Sequence, residues 1–137
     1  MTESDPGGVP VAQLQELLLE SEDITAFLDE FTATMARALS ADGDEVWCAV
    51  TLLRPRRPAT VASSGPRAEA LDEIQYHYGD GPCLAAAREH RVVHVADTGA
   101  DSRWPAYGQA AAAAGIGAAL GVPLELGGEA AAALDVY

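Results

Sequence analysis

Lysine is missing from this 137-residue chain, and its eight basic residues, all Arg, stand against 21 Asp and Glu for a net charge of −13. A phosphate backbone is bound through clustered Lys and Arg, so this balance argues against nucleic acid as a partner of the chain itself. The one basic cluster, Arg54, Arg56 and Arg57 in RPRRP, sits between two apolar runs and reads as a solvated hairpin loop. Cysteine is scarce as well. Cys48 and Cys83, even with His77, His90 and His94, make neither a disulfide framework nor the roughly four closely spaced ligands of a structural zinc site, so no metal is expected. No run approaches the ~20 apolar residues of a membrane span, and MTESDPGGVPVAQ lacks the charged start and apolar core of a signal peptide. These absences predict a soluble, cytoplasmic protein with no membrane partner.

What is present has the size of one domain with one core. Residues 1–8, small and Gly-rich, are expected to be a disordered lead-in, and residues 9–137 a single domain. Val11, Leu14, Leu17 and Leu18 recur at helical spacing. A second helix, capped by Ser21 or Asp23, carries Ile24, Phe27, Leu28, Phe31, Met35, Ala38 and Leu39 on one stripe. VWCAVTLL, residues 46–53, is too short for a helix and apolar nearly throughout, which predicts a strand buried on both faces, with 59–64 as its hairpin partner. A helical stretch from about Ala68 to Gln75 is broken at Gly79. Pro82 opens another helix through about Glu89, because its fixed φ suits the first helical position. Residues 91–97 read as a third strand, Pro105 opens a helix that stops by Gly115, and the last two apolar runs flank Gly127 and Gly128 as a closing hairpin. The sum is α+β with a mainly antiparallel sheet. Tyr137 ends what reads as a core strand with nothing after it to cover the sheet, so the chain is expected to be truncated at its C-terminus.

The chemistry concentrates in QYHYGDGPCLAAA, residues 75–87. A thiol near a helix N-terminus has its thiolate favoured by the backbone N–H groups, which makes Cys83 the nucleophile to weigh. Cysteine catalysis needs a nearby base, and neither His77 nor His94 has a local signature tying it to Cys83. Structural, pocket-lining, redox-sensing and catalytic roles for Cys83 all stay open at this point. Gly79 and Gly81 around Asp80 allow a tight bend or a moving lid, with one of Tyr76 and Tyr78 packed inside and the other exposed, or with Tyr78 and Cys83 on a pocket rim. GDG lacks the Lys and glycine spacing of a phosphate loop. Trp104 and Tyr107, one helical turn apart, have the spacing to stack an aromatic ligand whose polar ends meet Asp101 and Arg103; equally, Asp101 caps a turn, Arg103 pairs with an acid and Trp104 plugs the core. His94 alternates with Val93 and Val95 and so faces away from them, as a solvated or hydrogen-bonded residue.

ALDEIQYHYGDGPCLAAA, then VVHVADTGADSRWPAY, then GIGAALGVPLEL and AAALDVY, resemble in order and spacing the GAF domains of high-GC bacteria, especially those placed ahead of an RNA-binding ANTAR module. The resemblance covers roughly residues 20–137. It implies a GAF (PAS-like) fold with about five strands in order 2-1-5-4-3, a small-molecule pocket between the sheet and the helical crossover on one face, and terminal helices on the other. The family's final helix and the ANTAR module are missing here, and Asp135 stands where Asn is frequent. Free methionine sulfoxide reductases, one enzyme branch of the family, resemble this chain at Cys83 but use a further cysteine after the third strand, where this chain has DTGADSRWP.

The resulting expectation is a sensory module without catalytic residues. It binds an unidentified small molecule through Tyr78, Cys83, Asp101, Arg103, Trp104 and Tyr107, with the cofactor unknown and the helix at 24–39, together with the leading Leu-rich helix, mediating a homodimer. Two alternatives stand beside it: a redox switch or reductase using Cys83, and a dimerisation module with no ligand, which Ala110 to Ala114 and the glycines near 115–121 would suit through close packing.

Overall fold

The computed structural model describes residues 22–40, 43–54, 57–125 and 131–137. The lead-in, the apolar stripe at Val11 to Leu18, the cap at Ser21, Pro55 and Arg56 of the first hairpin, and the Gly127–Gly128 turn lie outside those residues.

Helix α1 runs from Glu22 to Leu39, followed by β1 (Cys48–Leu53), β2 (Pro58–Ser63), α2 (Pro66–Tyr78), α3 (Pro82–Glu89), β3 (Val93–Val95), α4 (Pro105–Ala113), β4 (Ala119–Glu125) and β5 (Ala131–Val136). The strands form one sheet in the order β2-β1-β5-β4-β3, and every neighbouring pair is antiparallel. Both the α+β class and the strand order expected from the sequence are found.

Alternation along the strands divides the residues between two layers. Cys48 and Val50 of β1, Ala62 of β2 and Leu134 of β5 face α1, which lays Leu28, Phe31 and Met35 against them and buries Ala36. Thr32 is also fully buried under α1, its hydroxyl donating to the Asp29 carbonyl at 2.9 Å, so the inward stripe is centred on Thr32 and Ala36 and leaves Phe27 and Leu39 outside. The sequence stripe had placed both of those inside. On the opposite face lie Ala49, Thr51, Gly121, Ala133 and Asp135, covered by α2 and α3. Leu71, Cys83, Val95, Tyr107, Ile116 and Tyr137 close that second core.

The segment broken at Gly79 behaves as its composition dictates. Gly79 adopts φ 70 as the left-handed cap of α2, its N–H bonded to the Tyr76 carbonyl, and Pro82 begins α3. Arg88 reaches back to bond the Gly79 carbonyl at 3.2 Å. The third strand is shorter than its apolar run. Only Val93 to Val95 pair with β4, because Asp97 folds back to accept the Gly99 N–H and ends the ladder.

Candidate functional site

Seven polar groups meet between α2 and the sheet. Thr51 of β1 and Asp135 of β5 lie on one face because Asp135 pairs with Ala49, two residues before Thr51. Thr60 of β2 joins them past an irregularity in the β1–β2 ladder. From above, α2 contributes Asp72, Gln75 and Tyr76, spaced so that one turn points all three downward, and Tyr137 rises from the end of β5. Asp72, Gln75, Thr51 and Asp135 are each almost wholly buried.

The contacts form a continuous network. Asp135 Oδ2 lies 2.5 Å from the Thr51 hydroxyl, which lies 2.7 Å from the Tyr76 hydroxyl. Tyr76 is 2.7 Å from the Thr60 hydroxyl, and Thr60 is 2.6 Å from Asp72 Oδ2. Tyr137 donates to Asp72 Oδ1 at 2.5 Å and accepts from the Gln75 amide at 2.8 Å. Asp135 Oδ1 has no hydrogen-bond donor among the described residues. Burial first, and then the Asp72 charge, push the Asp135 carboxyl well above the ordinary carboxylate range, and burial raises Asp72 as well.

Gln75 joins this network to the start of α3. Its carbonyl oxygen accepts from the Cys83 N–H at 3.0 Å and from the Leu84 N–H at 3.3 Å. A helix start with no capping side chain of its own is thus satisfied from the helix before it.

Cys83 lies under that cap, 1% exposed, with its thiol 3.8 Å from the Leu120 carbonyl. Burial is the largest influence on it, and the charges of Asp135 and Asp72 act in the same direction, so the thiol is held well above its ordinary range. The dipole argument that made Cys83 a nucleophile is outweighed, because the N–H groups of Cys83 and Leu84 are spent on Gln75 and the nearest charges are acids.

The remaining sequence candidates are distributed differently. Tyr78 is 45% exposed and packs edge-on against His77, while Tyr76 is the tyrosine turned inward. Asp101 accepts from the Arg103 N–H at 2.9 Å and pairs with its guanidinium at 2.7 Å. Arg103 holds the His94 carbonyl at 2.8 Å and stacks over Trp104 at 4.8 Å. This clasp keeps the half-buried Asp101 carboxyl at about 2 and ties the loop to β3. Tyr107 and Cys83 share a core with Trp104 packed against it. Tyr78 and the Asp101–Arg103 clasp stand outside that core, so the six do not converge on one cavity.

A groove of about 490 Å³ lies instead at the open edge of the sheet, lined by Arg57 and Pro58, by Thr60 and Tyr76, and by Glu69, Glu73 and His77 of α2. Thr60 and Tyr76 therefore belong both to its wall and to the buried network. Sequence reasoning missed Thr51, Thr60, Asp72, Gln75, Asp135 and Tyr137. Two of them carried a signal: Thr51 and Asp135 are the lone polar residues in CAVTLL and AAALDV.

Among the described residues no helix is long and apolar enough to cross a membrane. A search of curated proteins finds no match. Among solved structures, the chain is similar to a type II free methionine-R-sulfoxide reductase from Thermoplasma acidophilum, with 17% identity, a TM-score of 0.54, and coverage of 82% of this chain and 74% of that one. At that identity the likeness is one of fold. A family model described as GAF domain matches residues 21–137, the whole of the sheet and every helix described above, and the chain belongs to the GAF domain family.

Proposed function

We propose that the chain is a non-catalytic regulatory module that responds to a small molecule and passes the change to its partner surface through α1. Membership of the GAF family supports a ligand-binding regulatory domain in general terms. The observation that carries the non-catalytic part is the state of Cys83: buried, faced by two carboxyls and with its thiol pushed up, it has neither the access nor the base that a nucleophile needs. What the fold offers in its place is a polar interior coupled to a surface groove by Thr60 and Tyr76. A ligand shifts an output only by binding one conformation better than another. The turn at Gly79 to Gly81, between a helix seated on the polar network and a helix capped by it, is the element whose position such a ligand would change.

Native mass spectrometry of the purified protein, compared with its denatured mass, tests the reading. Excess mass lost on denaturation supports it. An apo mass that stays unchanged, together with no shift in melting temperature across a metabolite panel, removes it.

The redox alternative has its own measurement. Cys48 is also buried, and burial together with Asp135 pushes its thiol up to about 11. Titration with a disulfide reagent at pH 8 is expected to find both thiols silent in the native protein, reacting at least ~100-fold more slowly than in the unfolded chain. One rapidly reacting thiol would restore the redox switch.

The dimerisation reading is favoured by a specific feature of α1. Phe27 is 64% exposed and stacks on Phe31 with ring centres 6.5 Å apart, and Leu39 lies outside as well. We propose that this ribbon pairs with a second copy. Light scattering at tens of micromolar is expected to show a dimer, and Phe27→Glu is expected to weaken it at least about tenfold, the usual effect of placing a charge on a buried aromatic anchor. A wild-type monomer at that concentration refutes the pairing.

A further inference from the structure

The polar network contains more contacts than its hydroxyl protons can fill. Four short contacts run in a chain from Asp135 through Thr51, Tyr76 and Thr60 to Asp72. Each needs one proton, and the three hydroxyls supply three. The Tyr137 proton is committed to Asp72 Oδ1, and Gln75 makes its bonds to Tyr137 and to the start of α3, outside these four contacts. Two ionised carboxylates only accept, so with both charged one contact of about 2.7 Å or less would set two acceptors against each other.

We propose that Asp72 and Asp135 share one proton at neutral pH, and that this proton latches α2 onto the sheet. With the proton on Asp135 the chain of donors runs through Thr51, Tyr76 and Thr60 to Asp72. With the proton on Asp72 the same chain runs in reverse, and one proton shifting across each of the four contacts, four O–H bonds breaking as four form, carries the proton from one carboxyl to the other without opening the core. The orphaned Asp135 Oδ1, a buried acceptor with no donor among the described residues, fits a carboxyl that is neutral, since an unpaired carbonyl oxygen costs less to bury than an unpaired carboxylate oxygen.

The groups facing the pair are Thr51 from β1, Thr60 from β2, Gln75 and Tyr76 from α2, Cys83 from α3 and Tyr137 after β5, with Tyr107 of α4 beyond Tyr137. All are neutral or acidic, so no cation among them offsets a second negative charge. Solvent reaches the relay at Thr60 and Tyr76, in the groove whose rim carries Arg57, Glu69, Glu73 and His77. Loss of the proton leaves two buried carboxylates repelling each other across the α2 contact with the sheet, so α2 loosens on the alkaline side. The latch is independent of whether the module takes a ligand.

The test is urea unfolding of the whole chain from pH 5 to 8, wild type against Asp135→Asn. An unfolded carboxyl titrates near pH 4. A carboxyl that keeps its proton in the folded state gives stability that is greatest below that pH and falls as pH rises toward the pair's own titration. The amide of the Asp135→Asn variant supplies the missing donor and has no proton to lose. The ratio of the wild-type to the variant unfolding constant is therefore expected to rise about tenfold per pH unit, with the effect of the many exposed acids cancelling. Parallel pH profiles overturn the proposal. Infrared spectroscopy of the native wild type at pH 7 decides independently, even if the variant fails to fold: the carbonyl stretch of a protonated carboxyl is expected, and its absence overturns the shared proton.

Discussion

Replacing Gln75 by Leu is expected to cost about 3–4 kcal/mol and to lower the melting temperature by roughly 10–15 °C, because it strands two buried N–H groups at about 1–3 kcal/mol each. The volumes are similar, so the loss comes from polar groups and little from packing. The Cys83 and Leu84 N–H groups lose their acceptor at the start of α3, and Tyr137 loses the amide that fixes its hydroxyl on Asp72. In a domain whose whole stability is about 5–15 kcal/mol this is a large fraction. Gln75→Glu separates the polar loss from shape. A neutral Glu accepts from the same two N–H groups and donates to Tyr137, so the variant is expected to match wild type near pH 4.5. It should then fall behind as pH rises, since the buried site beside Asp72 and Asp135 disfavours a further charge. Urea midpoints across pH check both variants. A Leu variant within about 1 kcal/mol of wild type would mean that the start of α3 is satisfied in some other way.

The sequence made the scaffold readable and the interior network largely unreadable, and the reason is the distance over which each is encoded. β1 announces itself within eight residues, and the start of α3 within two, through Gly81 and Pro82. Gly79 is legible in the same local way. The motif string carried the strand order, which periodicity alone does not supply. The network, by contrast, joins Thr51 to Asp135 across 84 positions, Asp72 to Tyr137 across 65 and Gln75 to Tyr137 across 62. Each of these residues is ordinary in its own segment. Gln75 reads as a helix-end residue and Tyr137 as the end of a strand, and only the pairing of β1 with β5 beneath α2 turns them into partners. The Asp101–Arg103–Trp104 group was legible because its mutual contacts span two residues or fewer. The stripe on α1 was misread at its edges for the opposite reason: Thr32, polar by composition, satisfies its own hydroxyl locally and so takes the buried position that Phe27 does not.

The two cores also explain why the network can act on the rest of the molecule. The α1 face is held mainly by apolar packing, whereas the α2 face is held by directional bonds whose protons can be rearranged. Apolar contacts tolerate small slides; a hydrogen-bonded chain at 2.5–2.7 Å does not. A perturbation at Tyr76 or Thr60 is thus expected to displace Thr51 and Asp135 as well.

Gly121 sets how closely α3 can approach that network, and substitution there is expected to be the most damaging single change in the sheet. Gly121 pairs with Asp135, and an added Cβ would lie 2.7 Å from the Pro82 carbonyl oxygen and 2.9 Å from both Cys83 Cα and Ala86 Cβ. Two of those three atoms are backbone of the first turn of α3, so relief requires moving the helix and not merely turning a side chain. Moving it lengthens the bonds from Cys83 and Leu84 to Gln75 and lifts α3 from Ala133 of β5. Overpacking of this kind costs about 1–3 kcal/mol for one methyl group and more when a rigid element must shift. Gly121→Ala is therefore expected to lose about 2–3 kcal/mol, and Gly121→Val on the order of 4 kcal/mol or more, with much of the chain unfolded at 37 °C. Gly117→Ala is the control, since a Cβ there meets nothing within 4 Å, and it is expected to stay within about 0.5 kcal/mol of wild type. Circular dichroism melts of the three variants give the ranking. A Gly121→Val protein that melts with wild type would show that α3 does not rest on β4, and with it that Gln75, Cys83 and Asp135 are not held in one assembly.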